Sequence, residues 1–186
     1  MEPTELLTNE HRLILQSLEI LSAAKTGLEK GKWPKKALFE AGIEFLQSFA
    51  DRFNHFKEEY LMFGILAQKQ EGAFDLEIGA LRFQHERCRH HLDIIRDTLP
   101  VYSEGDEMAA TALLESLAAY TALLKRHIHH EDELFFPLIK NSLTPEEKKG
   151  LISYFEKEER RHRESGELDS CLSSLQRIQN PGDPSP

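Results

Sequence analysis

KRHIHHEDELFFP, residues 125–137, sets three histidines and three acids within thirteen positions and then runs into Leu134, Phe135, Phe136 and Pro137. A solvated helix face does not end in such an apolar run, and a buried face does not normally carry so many ionisable groups. Residues four apart stand one turn above another on the same helical face, so His127 and Glu131 form a two-pronged pair. Ile128, Leu134 and Phe135 share that face, which turns the pair inward. This reading requires a fold that gathers helices around buried donor groups.

Working outward, the chain reads as helix almost throughout. Leu6, Leu13, Ile14, Leu18 and Leu21 recur at helical spacing, predicting a first helix over residues 4–28 that Gly27 and Gly31 close. Leu38, Ala41, Phe45, Leu46, Phe49, Phe53, Phe56, Met62, Phe63 and Leu66 carry a second helix over residues 35–69, about 50 Å long at 1.5 Å per residue. A third begins near Asp75 and ends before Pro100; a fourth starts at Gly105-Asp106 and runs through Phe135, with Pro137 loosening its last turn. Thr144-Pro145-Glu146-Glu147 supplies an N-cap, a proline at the first helical position and a capping-box glutamate for a fifth helix reaching residue 164. No strand pattern occurs. Long helices with short connections specify an all-α, up-down-up-down four-helix bundle with an extra C-terminal helix. Residues 1–165 form the bundle and fifth helix; residues 166–186 form a short helix and a disordered tail ending in NPGDPSP.

Composition narrows the function. The net charge of −9 over 186 residues argues against nucleic-acid or acidic-membrane partners, which need a basic face. No run approaches about 18 uncharged apolar residues, and the acidic start lacks a leader pattern. Cys88 and Cys171 are far apart and give no metal-type pair or disulfide framework, so a cytoplasmic setting is expected. Nine histidines is the compositional oddity.

Placed on the helices, these histidines form a pattern. His11 sits on the first helix, His55 and Glu59 on the second, His85 on the third, and His127 and Glu131 on the fourth. HFKEEYLMF and HIHHEDELF match at their first, fifth and ninth positions, so the chain reads as one two-helix unit used twice. Four imidazoles and two carboxylates in one bundle core would cost about 1–3 kcal/mol for each unpartnered group. Two metal ions remove that cost. Nitrogen and oxygen donors without sulfur suit iron or manganese, with zinc less favoured. With both glutamates bridging and an oxide or hydroxide bridge, about ten of twelve octahedral positions are filled. The remainder is open to a small ligand such as dioxygen, nitric oxide or peroxide.

At EHRLI (10–14), HFKEE (55–59), QHERCR (84–89) and HIHHEDELFFP (127–137) the chain resembles the hemerythrin-like, or HHE cation-binding, family over roughly residues 7–140. ERRHRE at 159–164 is similar to the tail helix of bacterial members. The resemblance implies a non-haem di-iron site in a four-helix bundle. It carries the ligand roles to His11, His55, His85 and His127 as terminal donors and to Glu59 and Glu131 as bridges. Arg89 stands where oxygen carriers have a second histidine on this helix, which argues against simple reversible oxygen carriage. Asn54 stands where many bacterial members have histidine, and MFGIL replaces their LFP.

Among the remaining residues, His129 faces solvent by helical phase, and His130 and Glu58 are outer groups or alternative ligands with surface placement favoured. Asp132 is a second candidate carboxylate; Glu131 ranks first because it mirrors Glu59. His90, His91 and His162 are read as solvated, Cys88 as a small buried residue, and Tyr60 and Tyr120 as edge packing. The expected function is binding of O2, NO or related ligands, or iron handling and sensing. An oxidase, peroxidase or nitric-oxide-reducing enzyme and a metal-responsive interaction module are the alternatives.

Overall fold

Heptad-like spacing builds the bundle. The computed structural model describes residues 2–102 and 105–180. Helix α1 spans Pro3–Glu29 and buries Leu7, His11, Ile14, Leu18 and Leu21, in steps of four and three. Helix α3 spans Asp75–Thr98 and buries Ile78, Leu81, His85, Cys88, Leu92 and Ile95 in the same rhythm. Helix α4 occupies residues 107–139 and buries Leu113, Leu117, Tyr120, Leu124, His127 and Glu131. Alternating three- and four-residue steps bring a single stripe to the partner helices, as near-parallel bundle packing requires. His11, His85, His127 and Glu131 thus occupy core positions of rows that are otherwise apolar.

Helix α2, residues 36–66, breaks this rhythm. Its row runs Phe39, Gly42, Leu46, Phe49 and Phe53, after which Asn54, His55, Lys57 and Glu58 are all buried. The backbone explains the crowding: Leu46–His55 and Lys57–Met62 are wound as π-helix, with N–H groups reaching back five residues. Helix α4 is wound the same way over Glu131–Phe135, just ahead of Pro137, which cannot donate to the preceding turn.

The four helices close a ring, α1 against α2 and α4, and α3 against α2 and α4. Helix α5, Pro145–Glu164, buries Leu151 and Phe155 against the lower end of the ring, and α6, Glu167–Gln179, lies along α2 and α1. Gly42 allows the close approach of α1 to α2, since a Cβ there would stand 2.9 Å from Leu21 Cδ2. No helix among the described residues is long and apolar enough to cross a membrane. The expected disordered tail at 181–186 lies outside the described residues.

Two apolar clusters fill the bundle, and the ionisable groups lie between them. One includes Ile14, Leu18, Phe49, Leu92, Leu117 and Leu124; the other includes Leu7, Met62, Phe63, Leu81, Phe135 and Phe155. On every ring helix the donor residue separates a member of one cluster from a member of the other, as His11 separates Leu7 from Ile14. The bundle core is therefore layered: apolar, polar, apolar.

Helix α5 begins on a side-chain cap. Thr144 Oγ1 accepts from Glu147 N at 3.2 Å, and Glu147 Oε2 accepts from Thr144 N at 2.8 Å. Thr144→Ala is expected to lower stability by about 1 kcal/mol while Thr144→Ser leaves it nearly unchanged. Urea midpoints of the two variants check this; equal midpoints for both would show that the cap is not the cause.

Candidate metal centre

Four imidazoles and two carboxylates meet in the polar layer. His11, His55, His85, His127, Glu58 and Glu131 are all buried, the two glutamates completely. Glu58 Oε1 faces His11 Nε2 at 3.4 Å, and its other oxygen, Oε2, faces His85 Nε2 at 3.4 Å. Glu131 Oε2 lies 3.1 Å from His127 Nε2 and 3.5 Å from His11 Nε2. His85 Nε2 and His127 Nε2 stand 2.9 Å apart, and the His55 ring stacks on His85 with centroids 3.8 Å apart. Adjacent donors on one metal ion with bonds of about 2.1 Å are separated by about 3 Å, so these spacings suit a coordination shell.

Hydrogen bonding gives the same answer. His11 Nε2 and both carboxylate oxygens of Glu58 and of Glu131 have no hydrogen-bond partner. Each orphaned buried polar atom costs about 1–3 kcal/mol. A cation bound among them answers all of these atoms at once, and the residues fit one. Two groups of donors lie close enough to share an ion: His55, Glu58, His85 and His127, and His11, Glu58 and Glu131.

The outer nitrogens are held by acceptors. His11 Nδ1 lies 3.0 Å from Asp132 Oδ1, which also accepts from Thr8 Oγ1 at 2.7 Å. His85 Nδ1 lies 2.6 Å from Glu59 Oε1, and His127 Nδ1 lies 2.9 Å from Gln84 Oε1. A carboxylate or amide oxygen only accepts, so Nδ1 carries a proton, and in the neutral ring Nε2 turns its lone pair to the centre. His55 Nδ1 faces Asp51 Oδ1 at 3.7 Å, beyond hydrogen-bond length. Arg89 then ties these acceptors together, donating to Asp51 at 2.7 Å, to Glu86 at 2.7 Å and to Glu59 at 2.6 Å.

Titration follows from burial and neighbours. Burial opposes charge on His11, but the hydrogen bond to Asp132 and the nearby Glu58 and Glu131 carboxylates outweigh it and raise its pKa to about 10. Burial drives His127 down to about 4 and, with the nearby His55 and His127, carries His85 well below the ordinary imidazole value. Burial lifts Glu131 to about 7, and burial with the charge of Glu131 lifts Glu58.

Five of the six expected donors converge: His11, His55, His85, His127 and Glu131. Glu59 does not join them; it pairs with His85 Nδ1 and Arg89 at the rim, and Glu58 takes the central place. In an α-helix the residues three and four after a histidine both neighbour it, about 60° to one side and 40° to the other. Spacing alone does not separate Glu58 from Glu59; the π-type winding of α2 does. A signal was present when the two halves are matched from their apolar ends. EEYLMFG (58–64) against EDELFFP (131–137) pairs Glu58 with Glu131 and Glu59 with Asp132. The structure repeats that pairing, since Glu59 serves His85 as Asp132 serves His11.

Other residues land differently from their expected places. Lys57 is buried, paired with Glu10 and stacked 3.8 Å over Phe53, and Asn54 Nδ2 donates to the same Glu10 at 3.1 Å. This triad ties α1 to α2 beside the centre. His162, read as solvated, is buried with Nδ1 2.6 Å from Glu167; it borders a cavity of about 50 Å³ that also meets Phe53 and Cys171, apart from the donors. His129 and His90 are exposed, His91 and His130 half-buried, Tyr60 exposed, and Tyr120 and Cys88 buried. Burial pushes the Cys88 thiol up to about 12.

The chain is similar to known proteins. The chain is 27% identical over 161 residues to uncharacterized proteins of Mycobacterium tuberculosis (Rv1995 and MT2051) and Mycobacterium bovis (Mb2018). The alignment covers 87% of this chain and 62% of theirs, so the chain spans less than two thirds of their length. No solved structure matches it. The Hemerythrin HHE cation binding domain matches residues 2–139, a range that contains every donor described above. The chain belongs to the hemerythrin HHE cation-binding family.

Proposed function

We propose that this protein holds two iron ions in the polar layer and uses them to bind a small oxygen- or nitrogen-derived ligand or to handle and sense iron. The observation that carries this reading is Glu58. Its two oxygens face histidines on opposite sides of the layer and have no other partner. A carboxylate placed so is suited to bridge two cations. The ligands would be His11, His55, His85 and His127, with Glu58 and Glu131 as the carboxylates. Glu59 would act through His85.

The donor set favours iron or manganese, being all nitrogen and oxygen. Bound iron would supply open coordination positions and reversible one-electron chemistry. The chain supplies the rest. The outer acceptors fix the imidazole tautomers, and the flanking apolar layers exclude water and lower the local dielectric. Four imidazole nitrogens and four carboxylate oxygens satisfy about eight of twelve octahedral positions, which leaves room for an added ligand.

Iron loading of metal-free protein followed by elemental analysis should give two ions per chain. Glu58→Gln should lose bound iron. Glu59→Gln should retain two ions with an affinity about 10–100-fold lower, as expected when an outer partner is removed. The reverse result, loss on changing Glu59 and retention on changing Glu58, would restore Glu59 as the ligand.

Proton release tests the same reading. In the metal-free protein His11 titrates near 10 and Glu131 near 7, so at neutral pH His11 holds its proton and Glu131 is about half protonated, while burial and the charge of Glu131 raise Glu58. A cation needs their lone pairs, so binding must expel those protons. His85 and His127, already neutral, add nothing. Affinity should therefore rise from about pH 6 to about pH 9. Calorimetry in buffers of different ionisation enthalpy should count at least about one proton released per chain near pH 7. A flat affinity over that range is inconsistent with the site.

A further inference from the structure

The two donor groups are unequal. One has three imidazoles and one carboxylate, His55, His85, His127 and Glu58; the other has one imidazole and two carboxylates, His11, Glu58 and Glu131. Glu58 belongs to both. Imidazole nitrogen is the stronger of these donors for later first-row divalent ions, and three of them converge on one side only.

The supports are unequal as well. In the three-histidine half, His85 is fixed by Glu59 and His127 by Gln84, and Arg89 joins Glu59 to Asp51 beside His55. In the other half, His11 rests on Asp132 alone, which is partly exposed and borders an open groove that Glu5, Thr8 and Arg12 also line. Arg89 and Asp51 border a different groove, with Phe56 and Tyr60. The two halves thus back onto separate stretches of surface.

Charge reinforces the difference. In their ligating, deprotonated forms four neutral imidazoles and two carboxylates give the inner set a formal charge of about −2. A first dication cancels it, and a second then arrives at a neutral set with a like charge about 3–4 Å away, where water is excluded and screening is weak.

We propose that the halves fill in order. The three-histidine half takes the first divalent ion and retains it, and the His11 half holds a second, exchangeable ion. The singly loaded protein is then a stable state, and occupancy of the His11 half follows the free metal concentration. This rests on the two-ion reading above.

Stepwise titration of the metal-free full chain with Co2+, followed by absorption and equilibrium dialysis, tests it. Two phases are expected, the second about tenfold or more weaker, and dialysis against metal-free buffer should leave one ion per chain. His11→Ala should abolish the weak phase and keep the tight one; His85→Ala should remove the tight one. Circular dichroism shows that each variant is folded, and the wild-type dialysis needs no variant. A single phase of two ions that leave together overturns the order, as does loss of both ions from folded His11→Ala. Fewer than two ions bound by the wild type at saturation would bring down the two-ion reading itself, and the order with it.

Discussion

The rest of the structure depends on a polar layer held between two apolar ones. Five inner atoms, His11 Nε2 and the four carboxylate oxygens of Glu58 and Glu131, are buried without hydrogen bonds. At about 1–3 kcal/mol each, they would cost about as much as the whole folding free energy of a domain, about 5–15 kcal/mol. The apolar layers above and below enclose them. The same enclosure strengthens the attraction of a cation for the layer. A core that is expensive when vacant of charge partners and favourable with them couples ion binding to the stability of the bundle.

The outer ring turns this cluster into an oriented site. A buried imidazole has two tautomers, and only the one with an inward lone pair is useful to a metal. Asp132, Glu59 and Gln84 select that tautomer for His11, His85 and His127. Arg89 has a larger consequence. The position at which oxygen carriers of the family present another imidazole here carries a guanidinium bound to three carboxylates. A cation cannot serve as a ligand, but it can hold Glu59, the acceptor of His85, and Asp51 beside His55 in one frame. Arg89 adds no donor to the inner set and instead links Asp51, Glu59 and Glu86 around it.

Much of this was legible in the sequence because bundle packing forces regular spacing. The rows on α1, α3 and α4 keep three- and four-residue steps, so a histidine in such a row must point inward with its apolar neighbours. That logic finds His11, His85 and His127 directly. It fails at α2, where the row itself breaks. Asn54, His55, Lys57 and Glu58 are buried nearly in succession because the π-type turns change the phase along the helix. No count of residues anticipates where a backbone widens. Lys57 was illegible for a related reason: its burial depends on Glu10 across the α1–α2 contact, a tertiary fact with no local pattern.

The widened turns also bear on how the site came to be placed. π-type turns are marginal in energy, and they concentrate where a helix must present side chains that regular winding would separate. Here they carry His55, Glu58 and Glu131, and on α2 they begin at Leu46 and so also wind the Phe49 and Phe53 stretch of the apolar core. Regular winding through α2 would shift its later residues by about 100° for every residue gained or lost. Glu58 would leave the centre, and its neighbours Met62 and Phe63 would leave the lower apolar cluster with it. The winding that selects Glu58 therefore also seats the floor of the site. The central place of Glu58 and the apolar enclosure around it are set by one local deformation, so neither could be altered without the other.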